Sequence, residues 1–383
     1  MSPASQMAMS PLAKAARVSD TWHGMRSVFR SEREPLQRFI SSLNFDWLRE
    51  RANKILGSPG CRVRTDIFSH GREHVVFEIC SPNSSPMVAR ISKPPFDNAK
   101  SRLGPAEMLS EVQTIEYVSQ HTTIPVPRVV DYNVDPNNPL GAPYVLIEEI
   151  QGRHVEYLPR IPHPYNRHVY SQIANIVLQL SALQFPRIGM LECTKDNSEL
   201  HVTDAVFEDY HHIDAFGSAK EYYIARARRF LSQKESETPI DVNWAALAWL
   251  YLRAIPMFCP QDLDTGPFPL RHPDLNNLNI LYDDNYNIMG VIDWTSAQAA
   301  PWQSFVVPPN QFESIEFLEQ RNLYIEVFEE VERSQNPDMP LSKMMKHSNC
   351  EITELIDGYY GWQKFPGGYA LRLARLVFGD AIN

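Results

Sequence analysis

The chain has 383 residues, 43% of them hydrophobic and 21% charged, which is compatible with a large globular core and, as a prior, two or three folding units. Its 46 acidic and 36 basic side chains give a formal net charge of −10, which argues against a nucleic-acid binder, whose phosphate partners call for a basic stripe. No apolar run approaches the ~20 residues that a membrane-spanning helix needs, and five scattered cysteines (Cys61, Cys80, Cys193, Cys259, Cys350) without a CxxC pair suit inert thiols in a reducing compartment rather than a zinc ribbon or a disulfide framework.

Residues 1–33 read as a loosely ordered leader. Its first 19 residues hold Lys14 and Arg17 and no acid. A disordered cytosolic tail is the reading taken, giving a cytoplasmic protein, with a mitochondrial-type transit peptide as the alternative. Leu36, Phe39, Ile40, Leu43 and Leu48 then recur at near-helical spacing. From Cys61 the pattern changes to strands. Val75, Val76, Phe77 and Ile79 form one run, turn residues fill 81–86, and Met87 to Ile91 form the next, which predicts an antiparallel hairpin. A helix is expected over 105–120, with Met108, Val112, Ile115 and Val118 on one face, ended by Pro125 and Pro127. Tyr144 to Ile147 is a short buried strand, followed by Glu148, Glu149 and Gly152.

Beyond residue 152 the signal is mostly helical. Ile173, Ile176, Val177, Leu180 and Leu183 recur three and four apart, and 217–232 and 242–253 look helical too. A hairpin interrupts, with strands at 279–282 and 288–292 around a turn at 283–287. A charged helix is expected over 312–335, and 351–378 is expected to be helical with a break at Gly367-Gly368. The division is therefore a leader over 1–33, a sheet-rich unit over 34–152 and a helix-rich unit over 153–383.

The stretch that carries chemistry runs from Arg271 through His272, Pro273, Asp274 and Asn279, and closes at Asp293 and Trp294. A His, an Asp two residues on and an Asn five further sit in a loop that feeds an apolar strand. Fourteen residues past the Asn, the returning strand ends in Asp293, so the hairpin brings Asn279 and Asp293 together. An amide oxygen and a carboxylate are hard donors suited to Mg²⁺. Asp274 precedes them and would face an incoming hydroxyl or amine.

Here the sequence resembles the aminoglycoside phosphotransferase and choline kinase-like small-molecule kinases, in particular a fungal-type branch. His272-x-Asp274-x4-Asn279 is similar to the catalytic loop of that family and of the protein kinases, and Asp293 falls at the metal-binding aspartate of their DFG element. Ile292-Asp293-Trp294 in place of Asp-Phe-Gly points to the small-molecule kinases. The resemblance implies a two-lobed, protein-kinase-like α+β fold, with a small antiparallel-sheet N-lobe and a mainly helical C-lobe. It further implies Asp274 as catalytic base, His272 and Asn279 beside it in the catalytic loop, and Mg²⁺ on Asn279 and Asp293. Gly71 falls in the phosphate-covering loop. Arg90 stands where the family has a phosphate-binding lysine, in preference to Lys93, and the two basic groups are not interchangeable. Glu111 would pair with Arg90, Glu107 one turn earlier being the alternative, and backbone groups of Glu148 and Ile150 would hold adenine. The implied cofactors are ATP and Mg²⁺, and the implied partner is a small-molecule acceptor, with neither nucleic acid nor membrane.

The arginine at position 90 and the thin glycine loop motivate a rival reading, a kinase-fold protein that binds nucleotide or a partner without transferring phosphate. His163, His168, His211 and His212 read as surface or core histidines rather than metal ligands. The glutamates over 313–332 read as a solvated helix face, and Tyr222, Tyr223 and Trp362 as core aromatics.

Overall fold

A computed structural model describes residues 18–94, 104–155, 161–193, 200–207, 211–235, 242–309, 318–335, 341–357 and 366–379. The expected amphipathic stretch after residue 33 is two helices, α1 (Arg33–Ser42) and α2 (Phe45–Leu56). Asn44 separates them because its side chain accepts the Trp47 N–H at 3.0 Å, which satisfies a donor that the new helix leaves free.

Five strands follow: β1 (Arg62–His70), β2 (His74–Cys80), β3 (Met87–Ser92), β4 (Val129–Asn133) and β5 (Tyr144–Glu148). Helix α3 (Pro105–His121) lies between β3 and β4 in the chain. They form one antiparallel sheet in the order β1-β2-β3-β5-β4. Strand alternation divides its side chains between two faces. Met87, Ala89 and Ile91 pack with Leu36, Ile40 and Leu48 from α1 and α2 on the outer face. Val88 and Arg90 fall on the opposite face, where Val88, Val145 and Ile147 meet Met108 and Val112 of α3.

The remainder packs around a larger core. It contains α4 (Asn166–Ala182), α5 (Ala219–Glu235), α6 (Val242–Phe258), α7 (Trp302–Phe305), α8 (Leu318–Gln335), α9 (Leu341–Lys346), α10 (Ser348–Asp357) and α11 (Pro366–Phe378). Short strands interleave with them: β6 (Gln184–Phe185), β7 (Gly189–Cys193), β8 (Leu200–Val202), β9 (Ala205–Val206), β10 (His212–Ile213), β11 (Phe268–Arg271), β12 (Ile280–Tyr282), β13 (Ile288–Val291) and β14 (Gln298–Ala299). A second five-stranded sheet, β6-β11-β14-β7-β8, was not expected from the sequence, because strands of two to five residues show no readable alternation. The expected hairpin is β12–β13, paired antiparallel from Ile280 opposite Val291.

Gly152 sits at the change from sheet to helices, at φ +152°. A Cβ there would lie 3.1 Å from the Leu281 Cβ and 3.2 Å from the Tyr282 carbonyl oxygen. Its neighbour Arg153 bridges Tyr282, so the connection is laid directly on β12.

Three expectations need correction. The leader is folded where it is described: single turns at Val18–Thr21 and Gly24–Ser27 pack on β1, and Ser19 and Val28 are each 2% exposed. One-turn elements carry no periodicity, so the sequence did not reveal them; residues 1–17 lie outside the described residues. Gly367-Gly368 does not break a helix but lies in the first turn of α11. Of the acids on α8, Glu326 and Glu330 bind exposed Arg167, whereas Glu332 is buried and accepts the backbone N–H groups of Leu341 and Ser342 at the start of α9. Residues 312–317 and Trp362 are outside the described residues.

Candidate active site

A cleft of about 640 Å³ opens between the first sheet and the helical part. Gly71, His74, Arg90, Glu148 and Ile150 line it from one side, and Asp274, Asn279, Ile292 and Asp293 from the other. The sequence-predicted residues that do not line it are Glu111 and His272.

Strand β3 aims Arg90 into the cleft, and the second turn of α3 brings Glu111 against it. One guanidinium nitrogen binds the Glu111 carboxylate; the other donates to Asp293 Oδ1 at 3.0 Å and lies 3.5 Å from His74 Nδ1. The choice between the two glutamates is thus made by geometry. Glu107 accepts the Gly104 N–H at 2.9 Å as part of the helix start and lies 2.7 Å from His212. Burial works against the charge on Arg90, but the Glu111 and Asp293 carboxylates outweigh it. Burial pushes the Glu111 carboxyl up, opposed by Arg90. Burial also acts to raise Asp293, but the Arg90 charge prevails and holds it below the usual carboxylate range.

Asp293 follows β13 with a left-handed backbone, φ 62°, an uncommon conformation that aspartate tolerates better than most side chains. The Thr295 hydroxyl, two residues on, lies 3.1 Å from a Glu111 oxygen and 2.9 Å from Asp293 Oδ1, so its one proton is shared between the two acids. Sequence reasoning missed Thr295, although its place beside Asp293 was a usable signal. Trp294 is fully buried, its indole N–H on the Val291 carbonyl at 3.0 Å, and serves as the anchor of this turn.

The loop before β12 is held equally tightly. Asn279 Nδ2 donates to the Asp274 backbone carbonyl at 2.8 Å and to Asp274 Oδ2 at 3.0 Å, while Asn276 holds Asp274 Oδ1 at 2.7 Å. Two acceptors on one side of the Asn279 amide fix its orientation and turn Oδ1 the other way. The Ile292 N–H donates to the Asn279 carbonyl at 2.9 Å, which sets Asp293 next to Asn279.

His272, expected beside Asp274 in the catalytic loop, is placed behind the cleft rather than in its lining. It is 4% exposed, accepts the Asp274 N–H on Nδ1 at 3.2 Å and donates from Nε2 to the Ile292 carbonyl at 3.1 Å. Both ring nitrogens are used on backbone, so it clamps the loop to the β13 end and touches nothing in the cleft. Gly71 lies in the β1–β2 turn, its N–H on the His74 carbonyl at 3.0 Å; a Cβ there would meet nothing within 4 Å, so the turn itself does not demand glycine. At the end of β5 the N–H groups of Glu148 and Glu149 are taken by the carbonyls of Arg128 and Pro86. Gly290 lets Ile150 approach the hairpin, since a Cβ at 290 would collide with the Ile150 side chain. Tyr222, expected as core, is buried and also lines the cleft together with Phe207, Arg271 and Asp357. Tyr223 is core, its hydroxyl 3.0 Å from Ser304.

Burial lowers the pKa of His272, and it pushes His74 down to about 3 with help from Arg90. Both imidazoles fold neutral, below their unfolded value of 6.5. The stability they contribute is complete above pH 6.5 and is lost as pH falls toward the folded pKa. For His74 the expected loss is about 1.4 kcal/mol per pH unit below 6.5. Urea unfolding at pH 7.5 and at pH 5 checks this: His74→Gln should lose less stability between the two than wild type, and equal losses would overturn it.

The model of the phosphotransferase enzyme family matches residues 66–303. Among curated proteins, a subtelomeric hrmA-associated cluster protein of Aspergillus fumigatus is 26% identical over 246 residues, covering 63% of this chain and 44% of the relative. A protein of Candida tropicalis named altered inheritance of mitochondria protein 9, mitochondrial, is 26% identical over 183 residues, covering 45% of this chain and 28% of the relative. The matches thus span under half the length of these two relatives. Among solved structures, a thermostable mutant of aminoglycoside phosphotransferase APH(4)-Ia, in ternary complex with ADP and hygromycin B, superposes with a TM-score of 0.53 at 16% identity, covering 88% of this chain and 99% of that one. A gentamicin complex of APH(2")-IIa gives 0.50 at 14%, covering 86% and 95%. These likenesses are of fold: the chain has the two-lobed kinase-like architecture, with a small antiparallel-sheet N-lobe and a mainly helical C-lobe.

Proposed function

The chain belongs to the phosphotransferase enzyme family, and from that premise we propose that it transfers the terminal phosphoryl group of Mg-ATP to a hydroxyl (or amine) of a small molecule. The observation that carries the reading is the convergence on one cleft of Asp274, Asn279, Asp293 and Arg90, the last held from behind by Glu111.

The donor set fits the metal. Asn279 and Asp293 both line the cleft and offer an amide oxygen and a carboxylate, two hard donors, and Mg²⁺ is typically held by one or two protein oxygens together with substrate phosphates and water. When bound there it would neutralise charge on the phosphates. The buried Nε2 of His74, which has no hydrogen-bond partner among the described residues, lines the same cleft and fits a phosphate oxygen. Arg90, kept charged and held by Glu111, would bind the leaving diphosphate. The Glu148 carbonyl and Ile150 N–H would take the base.

In the proposed transfer the acceptor oxygen loses its proton to the Asp274 carboxylate as its bond to phosphorus forms. The bond between that phosphorus and the ADP oxygen breaks, and ADP leaves with the electron pair. Asn276 and Asn279 orient Asp274 for this, and His272 acts only through the backbone it clamps. Catalysis of this kind is mostly positioning and electrostatics. The site of action is taken as the cytosol; the name of the Candida tropicalis relative favours a mitochondrial site as the alternative.

Thermal unfolding with and without Mg-ATP tests the reading. Ligand at 100 times its Kd stabilises a fold by about 2.7 kcal/mol, which raises Tm by a few degrees. A rise that needs both Mg²⁺ and nucleotide is expected. No rise at millimolar Mg-ATP would overturn the nucleotide site. A rise without phosphoryl transfer to any member of a broad panel of small alcohols and amines would leave the non-transferring rival.

A further inference from the structure

The segment before α1 does more than decorate the sheet. Ser19, at its start, is 2% exposed and donates its N–H to Glu149 Oε1 at 3.4 Å, beside the end of β5. Gly24, five residues on, is pressed against β1 at φ +55°, where a Cβ would lie 2.8 Å from the Asp66 carbonyl oxygen. Val28 then enters the outer-face cluster with the sheet and α1. In the sheet order β1-β2-β3-β5-β4, a chain that leaves β5 and reaches β1 must cross β3 and β2.

Trp22 lies midway along that crossing. It packs on the cleft-side cluster of Val88, Val145 and Ile147, as Val76 does, and it lines the cleft itself. Val76, Val88 and Ile147 form the apolar upper part of the cleft, and Leu281 and Ile292 line it from the other lobe. A space lined by branched aliphatic side chains, next to the backbone of Glu148 and Ile150, suits a purine ring. An indole at its edge adds an aromatic face, which is where such a ring gains stacking energy. The indole does not fill this space, since about 640 Å³ remains open beside the half-buried Trp22.

We propose that Trp22 is a wall of the purine subsite, held against the cleft side of the sheet by a strap of residues 18–28 anchored at Glu149 and at β1. The inference rests on the nucleotide reading above and adds a contact from outside the region matched by the family, which begins at residue 66.

The test is calorimetric titration of the full chain and of Trp22→Ala and Trp22→Phe with ADP, adenosine and inorganic tripolyphosphate, each with Mg²⁺ and with EDTA. Trp22→Ala should weaken ADP and adenosine roughly tenfold or more, by the same factor with and without Mg²⁺. Tripolyphosphate, which has no base, should bind as to wild type. Trp22→Phe keeps an aromatic face and should stay within about threefold, while losing most of the tryptophan fluorescence change that ADP produces in wild type. This variant keeps the test decisive if Trp22→Ala folds poorly. Unchanged ADP affinity in Trp22→Ala, or a fluorescence response retained in Trp22→Phe, overturns the proposal. Tighter binding in Trp22→Ala overturns it too, because the strap would then be a plug. Wild type that binds tripolyphosphate but neither ADP nor adenosine refutes the purine subsite alone, and wild type that binds none of the three probes removes the nucleotide reading itself.

Discussion

Asp274→Ala should lower phosphoryl transfer by about 10²- to 10⁴-fold, the range that a positioned general base supplies, while Mg-ATP affinity stays within a few-fold of wild type. The separation follows from the geometry. The Asp274 side chain stands exposed in the cleft with each oxygen held by one asparagine amide, Asn276 at 2.7 Å and Asn279 at 3.0 Å. Removing the carboxylate leaves Asn279 with its second bond, to the backbone carbonyl of residue 274 at 2.8 Å, so the metal-side amide keeps its orientation. ADP release with an identified acceptor, set beside a nucleotide titration, reads both quantities. Loss of binding together with turnover would sink the base assignment. Asp274→Asn serves as the second variant, since it keeps the shape and removes the basicity.

Asp293→Ala should abolish the Mg²⁺-dependent part of ATP binding. A bound cation contributes several kcal/mol of charge stabilisation at such a site, so the affinity gap between Mg²⁺ and EDTA, expected to be about a hundredfold or more in wild type, should close. The fold should tolerate the change, because Arg90 keeps Glu111 as its partner and Thr295 keeps its bond to Glu111. Glu111 could not be removed so cheaply. It is 1% exposed at its side chain and faces Arg90 at 12%, and removing one partner of a buried pair costs about 3–5 kcal/mol. Unchanged Mg-ATP affinity in Asp293→Ala would refute the metal role.

Much of the site is local in sequence, and local features are what a sequence displays. His272, Asp274 and Asn279 share one loop, and β12–β13 is a tight hairpin whose apolar runs and turn residues announce it. That alone brings Asn279 to Asp293. The alternation of Met87 to Ile91 likewise determined which side of β3 carries Arg90, since a strand turns successive side chains to opposite faces. These readings needed no knowledge of what lies across the cleft.

Other features depend on pairs far apart in the chain, where spacing says nothing. Glu107 and Glu111 stand one turn apart on the same helix, and only the approach of α3 to β3 selects Glu111 for Arg90 and leaves Glu107 to the helix start and His212. The orientation of His272 is set by a backbone carbonyl twenty residues on, which holds its ring against the end of β13. The second five-stranded sheet is assembled from strands too short to show a period. Trp22 lies in a stretch of single turns whose order comes from the sheet they cross. The sequence by itself thus determined the loop from His272 to Asn279, the β12–β13 hairpin and the face of β3, because hydrogen bonding and alternation act between neighbours. Tertiary structure decided which acid meets Arg90, what His272 does and how the cleft is walled, because burial and charge pairing act between residues that only folding makes adjacent.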